Sequence, residues 1–173
     1  YPSHENIDYA YYLLALSNYE QINNEELDGT YNVRALENFN NLINRFPKSK
    51  YTKDSVQKII LINENISAKH MNIGRFYQNQ NKNIAALNRY KTIVREHSSS
   101  KFVPEALYRM VEIYFKLGLE DDAIKSASTI GFNYPDSKWY KYAYNLVNKE
   151  NINKNGISIP KKIKNFFKIN EPN

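Results

Sequence analysis

Apolar residues along most of this chain recur at the spacing of one face of an α-helix, and no segment shows the alternation of a half-buried strand. One stretch is unusually long, because Tyr77 follows Pro47 by 30 residues whereas the equivalent Tyr114 follows Ser98 by only 16. The difference is close to four helical turns, so the apolar face keeps its direction. We therefore expect one helix of about eight turns, roughly over residues 51–79. Its expected apolar face comprises Val56, Ile59, Ile60, Ile66, Ile73 and Tyr77.

A six-residue junction recurs along the chain and separates the helices. Each copy reads as the end of one helix, a cap, a serine, a lysine and an aromatic residue that opens the next helix. Self-similarity of this kind indicates an array of helix pairs and not one globular core. A partial copy at residues 1–4 leads us to expect that the chain begins inside the array. The full copies occupy residues 46–51, 97–102 and 134–139.

The register of the helix pairs follows the tetratricopeptide pattern, in which small and aromatic residues meet between helices. On first helices a small residue and an aromatic lie near each other, as at Gly74 and Tyr77. On second helices an alanine is followed after four residues by an aromatic or small residue and after twelve by proline or serine. We therefore predict an all-α, tetratricopeptide-like helix-pair solenoid with one extended helix over residues 1–150, followed by a tail over 151–173. The second-helix sets are Ala35, Phe39 and Pro47; Ala86, Tyr90 and Ser98; and Ala123, Ala127 and Pro135.

Composition narrows the function classes only slightly. The net charge is +6, but Lys, Asn, Ile and Tyr are abundant together and all have AT-rich codons. An AT-rich bacterial genome accounts for the basic balance, and nucleic acid is not an expected partner. The chain has no cysteine, which excludes disulfides and thiolate metal sites. No stretch approaches the roughly 20 apolar residues that a membrane span needs.

The sequence contains no pattern typical of a catalytic, cofactor-binding or metal site. His4, His70 and His97 are isolated along the chain and lack the spacing that holds zinc. No glycine-rich loop could hold a phosphate, and no GxSxG motif places a nucleophilic serine. The acidic run 120–122 stands at the start of a predicted helix, where it matches the helix dipole. We therefore expect no enzyme activity, no metal and no cofactor.

Aromatic residues crowd the first and last helices. Most are expected to pack between helices, because their spacing is helical. Tyrosine also suits protein-binding surfaces, since it combines apolar area with a hydroxyl group. Tyr12 and Tyr140 fall on the more polar sides of their helices, and we predict that they line such a surface.

Residues 1–17 resemble the opening of the second repeat in the BamD family of lipoproteins, which serve outer membrane β-barrel assembly. Residues 35–54 and the long helix through Phe76 and Tyr77 are similar to the family's third unit, and residues 83–97 are similar to the helix that follows. The resemblance runs in register to about Lys149 and includes the extended helix. It implies a non-catalytic scaffold at the periplasmic face of the outer membrane, with a lipid anchor upstream of residue 1.

The resemblance also implies partners. Family members dock on the membrane-proximal POTRA domain of BamA and bind unfolded outer membrane proteins, and other Bam lipoproteins are further candidates. In the family, an arginine that follows an asparagine on the helix matched by residues 83–97 contacts that POTRA domain. It corresponds to Arg89, with Asn88 and Lys91 as weaker partner-binding candidates. We expect Arg89 to be exposed on the second helix of its unit.

An alternative is a periplasmic tetratricopeptide adaptor of the CpoB type, which coordinates envelope constriction. Its repeats carry similar junctions but lack the four-turn extension.

The chain departs from the family pattern after Lys149. Pro160 suits the first position of a short helix, with apolar residues on one side and lysines on the other. Such a basic amphipathic segment caps the last repeat, remains disordered or lies on an anionic membrane surface, and these alternatives stay open.

Overall fold

Helices are the only regular secondary structure among the residues that the structure describes. The computed structural model describes residues 5–22 and 29–155. Within these ranges, none of the helices is both long enough and apolar enough to cross a membrane. The all-α fold predicted from the sequence is confirmed. The helices are α1 Ile7–Glu20, α2 Thr30–Arg45, α3 Thr52–Asn79, α4 Asn83–Glu96, α5 Val103–Lys116, α6 Glu120–Asn133 and α7 Lys138–Asn155.

The last helix continues beyond residue 150, where the array was expected to end, because α7 reaches Asn155. The rest of the predicted tail, including Pro160, lies outside the described residues, as does His4. The assignment of the tail therefore stays a prediction.

The chain forms two compact units, Tyr1–Ile66 and Ser67–Asn173. In the first unit α1 packs against α2, around a small core that contains Phe39 and Ile62. In the second unit α5 packs against α4, α6 and α7, around a larger core that contains Tyr90 and Ile130. The small second-helix residues of the repeat pattern are fully buried, as predicted: Ala35, Ala86, Ala123 and Ala127.

The long helix predicted from the sequence is present. α3 is one continuous helix of 28 residues, about 42 Å long at 1.5 Å per residue. It continues without a break through Ser67, which is fully buried. The added length therefore consists of whole turns of the same helix.

The apolar face of α3 differs in part from the predicted one. Ile59 and Ile66 pack against the core of the first unit, as expected. Val56 and Ile60 are exposed instead. The buried stripe passes through Ile59 and Ile62, and each exposed residue lies one position, about 100° of helix rotation, away from a buried or partly buried one.

The three junctions share one set of contacts, which explains their common sequence. In each, the serine hydroxyl oxygen accepts a hydrogen bond from the backbone N–H two residues later, with an N–O distance of 3.2 Å. The serine side chain therefore stabilises the turn that leads into the next helix, and Ser137, which directly precedes α7, stands at the N-cap position. The lysine ammonium lies 5.0–5.4 Å from the centroid of the aromatic ring that follows it, within cation–π distance. The junction serines are Ser49, Ser100 and Ser137.

Gly74 allows α3 and α4 to approach closely. A β-carbon at position 74 would lie 2.9 Å from Cδ1 and Cζ of the Tyr90 ring. That ring is fully buried, and its hydroxyl donates a hydrogen bond to Oε1 of Gln78 at 2.8 Å. Burial raises the pKa of Tyr90 to about 12, so the hydroxyl keeps its proton at neutral pH.

Replacing Ser100 with alanine is expected to lower the free energy of unfolding by about 1 kcal/mol, the usual net contribution of one hydrogen bond within a protein. The backbone N–H of Phe102 loses its serine acceptor in this variant. Urea unfolding followed by circular dichroism measures the change as a lower midpoint with an unchanged m value. Ser99→Ala is the control, because Ser99 is exposed in the same junction. Equal losses in the two variants would contradict a stabilising role of the hydrogen bond to the Ser100 hydroxyl.

Gly74→Ala is expected to destabilise the protein, although alanine favours helix by about 1 kcal/mol over glycine. The added methyl group overlaps the buried Tyr90 ring, and overpacking of this kind costs about 1–3 kcal/mol. Thermal unfolding should therefore show a lower melting temperature. Gly29→Ala serves as the control, because nothing lies within 4 Å of its β-carbon position. A more stable Gly74→Ala variant would mean that Tyr90 can be displaced without cost.

Candidate functional site

The residues indicated by the family resemblance lie on α4. One side of this helix is buried and comprises Ala86, Leu87, Tyr90 and Ile93. Asn88 lies on the opposite side and is exposed, whereas Arg89 and Lys91 lie towards the edges of the buried side and are only partly exposed. The expectation that Arg89 is exposed is therefore corrected, because its place beside the buried Tyr90 brings it against the neighbouring helix.

Lys91 takes part in packing within the protein. Its Nζ lies 5.8 Å from the centroid of the Tyr114 ring on α5, at a cation–π distance. The Asn88 side chain is exposed, and its backbone carbonyl accepts a hydrogen bond from Oγ1 of Thr92 at 3.0 Å. Asn88 is therefore the most accessible of the three residues.

Two arginines of the second unit, Arg89 and Arg95, take part in none of the ion pairs among the described residues. Those ion pairs involve Arg75 and Arg109. Arg89 lies close enough to His70 on α3 for its positive charge to act on that imidazole. A guanidinium group is a planar fork of donors that suits a carboxylate. Arg89 can therefore bind a carboxylate that another protein supplies.

Two histidines that are isolated along the sequence meet in the structure. The rings of His70 on α3 and His97 at the end of α4 have their centroids 6.3 Å apart. Nδ1 of His70 is buried and has no hydrogen-bond partner among the described residues. Within the same residues, no group of three or more His, Asp or Glu side chains could hold a metal ion. Sequence spacing could not reveal the histidine contact, because it depends on how α3 and α4 pack.

Burial lowers the pKa of His70 below its ordinary value of 6.5. The positive charge of Arg89 lowers that pKa further, His97 acts in the same direction, and Glu96 opposes them. His70 is therefore neutral in the folded protein at neutral pH. After burial, the charge of Arg89 is the largest influence on this pKa.

A polar network that the sequence did not predict joins α3 to α5. Arg75 donates hydrogen bonds from Nε and Nη2 to Oε1 of Glu105, at 3.1 and 2.7 Å. Arg109 lies 3.5 Å from the same oxygen and donates to Oε2 of Glu112 at 2.9 Å. Gln78 donates to that Glu112 oxygen at 3.1 Å. The spacing of Glu105 and Arg109 is visible in the sequence as an i,i+4 pair, whereas the residues from α3 come from far earlier in the chain.

The two tyrosines predicted to line a binding surface belong to the packing instead. Tyr140 is fully buried, so the prediction is wrong for this residue. The hydroxyl of Tyr12 donates to Oδ2 of Asp54 at 2.6 Å, and its ring stacks on Tyr51 with centroids 4.7 Å apart. A tyrosine can pack its ring between helices while its hydroxyl binds a polar neighbour, which makes its position on a helix an unreliable guide.

Comparison with known proteins gives one consistent result. The sequence model of the YfiO family, described as outer membrane lipoprotein, matches residues 1–130. The outer membrane protein assembly factor BamD of Rickettsia prowazekii is 44% identical over 147 residues, which are 85% of this chain and 59% of that protein. BamD of Caulobacter vibrioides is 34% identical over 152 residues, 88% of this chain and 50% of that protein. BamD of Neisseria meningitidis serogroup A is 30% identical over 154 residues, 83% of this chain and 58% of that protein. The chain thus spans between half and three-fifths of the length of these relatives.

The stability of the protein is expected to fall as the pH drops from about 7 to about 5, with a contribution from His70. Above the ordinary value of 6.5 the histidine is neutral in both the folded and the unfolded chain. Below that value the unfolded chain takes up the proton first, because the folded-state pKa is lower, and the free energy of unfolding decreases. His70→Gln should therefore show a shallower pH dependence in urea unfolding.

The control for this effect is Arg89→Gln. Removing the neighbouring positive charge should raise the pKa of His70, which can be followed through the imidazole Cε1–H resonance by nuclear magnetic resonance. An unchanged His70 titration in this variant would contradict the placement of Arg89 beside His70.

Proposed function

This chain belongs to the YfiO family of outer membrane lipoproteins, and from that membership we propose that it is a non-catalytic scaffold in outer membrane β-barrel assembly. The observation that carries the proposal is its 44% identity over 147 residues to a BamD assembly factor. The proposed location is the periplasmic face of the outer membrane, where a lipid anchor of the whole protein would hold it. The family match favours this role over that of an adaptor in envelope constriction. No observation supports the adaptor role.

The proposed principal partner is the membrane-proximal POTRA domain of BamA, bound through α4. Arg89 supports this choice, because its partly exposed side chain takes part in none of the ion pairs among the described residues. Asn88 is exposed beside it and adds a hydrogen-bonding amide. In this proposal the guanidinium of Arg89 binds a carboxylate of the POTRA domain, and Asn88 extends the polar contact.

The proposal for the whole protein includes two further classes of partner. Unfolded outer membrane proteins are the proposed substrates, and other Bam lipoproteins are proposed as additional subunits. The chain covers 59% of the Rickettsia relative, so substrate delivery is proposed for the full-length protein. Docking on BamA is proposed for α4, which lies within the residues that the family model matches.

Arg89→Glu is expected to weaken binding to the isolated POTRA domain of the same organism's BamA by tens- to thousands-fold. Truncating a partly desolvated interfacial charge typically costs about 2–5 kcal/mol, and reversal of its sign adds repulsion. Isothermal titration calorimetry of the purified chain and variant against that domain measures the change. Thermal unfolding should be nearly unchanged, because surface substitutions shift stability by only about half a kcal/mol.

The matched control is Arg34→Glu, which makes the same charge change on the exposed side of α2. It should bind with the affinity of the unchanged chain. Equal affinities of the Arg89→Glu and Arg34→Glu variants would refute the role of Arg89 in docking. Unfolding of the Arg89→Glu variant would show a structural role for the arginine.

A further inference from the structure

An apolar residue stands on the same surface as the proposed docking residues. Ile84, in the first turn of α4, keeps 63% of its surface exposed. Single exposed apolar residues are common on protein surfaces and need no explanation by themselves. What sets Ile84 apart is its position next to Asn88, one of the proposed docking residues.

Helix geometry makes Ile84 and Asn88 neighbours on one surface. Asn88 follows Ile84 by four residues, so the two lie one above the other on the outer side of α4. Arg89 follows Ile84 by five residues, about 140° of helix rotation, and lies at the far edge of the outer side. The outer side of α4 therefore carries Ile84 beside the Asn88 amide, with the charge of Arg89 at its other edge.

The charges around this surface favour an acidic partner. Lys82 and Arg95 are exposed near the two ends of α4, and Arg89 lies between them. Glu96 is the only carboxylate on the helix. A partner surface that is acidic and carries an apolar depression would complement both features, because charge complementarity orients partners and buried apolar anchors supply affinity.

We propose that Ile84 is the apolar anchor of the α4 docking surface, next to Asn88, and inserts into an apolar pocket of a folded partner domain that also presents a carboxylate to Arg89. This inference rests on the proposed docking to the POTRA domain of BamA and specifies what that domain must present. Ile84 contributes affinity through removal of its side chain from water, and Arg89 contributes through charge.

The two contributions differ in their response to salt, which allows them to be separated. Salt screens interactions between charges at the edge of an interface. Burial of an aliphatic side chain involves no charge, so moderate changes in sodium chloride concentration leave it nearly constant. The slope of affinity against salt concentration therefore reports on Arg89, and the affinity at a fixed concentration reports on both residues.

The experiment titrates the isolated POTRA domain with the unchanged chain and with Ile84→Ser, Arg89→Gln and Val33→Ser, each at several sodium chloride concentrations. Ile84→Ser should lower affinity about ten- to a hundredfold with an unchanged salt slope. Arg89→Gln should lower affinity and flatten the slope. Val33 is the matched control, because this aliphatic residue on α2 is also 63% exposed, and Val33→Ser should bind as the unchanged chain does.

The outcomes separate this inference from the proposal on which it rests. Unchanged affinity of Ile84→Ser, together with weaker binding of Arg89→Gln, overturns the anchor and leaves docking through Arg89 in place. Equal losses in Ile84→Ser and Val33→Ser also overturn it, because they indicate a non-specific apolar effect. Failure of the unchanged chain to bind the domain overturns both proposals. Circular dichroism verifies folding, and Ile84→Gln replaces Ile84→Ser if the serine variant unfolds.

Discussion

The Tyr90 ring fills the space that a β-carbon at position 74 would need, and the arrangement of the second unit depends on this close approach. Because α3 and α4 come so near, the Tyr90 hydroxyl reaches Gln78, one turn beyond Gly74. Gln78 in turn donates to Glu112 on α5. These two hydrogen bonds therefore connect α3, α4 and α5. The same contact sets the rotation of α4, and with Tyr90 held inside, the preceding residue Arg89 lies at the edge beside His70.

The helix α3 is longer than the first helix of the regular repeat. It exceeds that repeat by 14 residues, about 3.9 turns at 3.6 residues per turn. This one helix contributes to both cores, with Ile59 and Ile66 in the first and Met71 and Tyr77 in the second.

Local patterns in the sequence predicted the features that local physics controls. The long helix follows from the periodicity of its apolar residues, the junction serines from the hydrogen bonds that serine makes to nearby backbone N–H groups, and the acidic run 120–122 in the first turn of α6 from the helix dipole. The burial of Tyr140, the meeting of His70 with His97 and the bond from Arg75 to Glu105 depend on contacts between helices. A single sequence does not reveal which side chains such contacts bring together. An amphipathic residue such as tyrosine is compatible with both a buried and an exposed position.

The candidate site is best understood through the distribution of charges in the second unit. Glu105 and Glu112 neutralise Arg75 and Arg109 within the protein, where removal of one partner would leave an uncompensated and partly buried charge. Arg89 receives no such carboxylate among the described residues, although its neighbours already exclude part of its solvent. A charge that has lost some hydration without gaining an ion pair gains more from an incoming carboxylate than a fully solvated arginine does, because less water has to be displaced from it. The partial burial that contradicts the expected exposure of Arg89 therefore strengthens its case as a partner-binding residue.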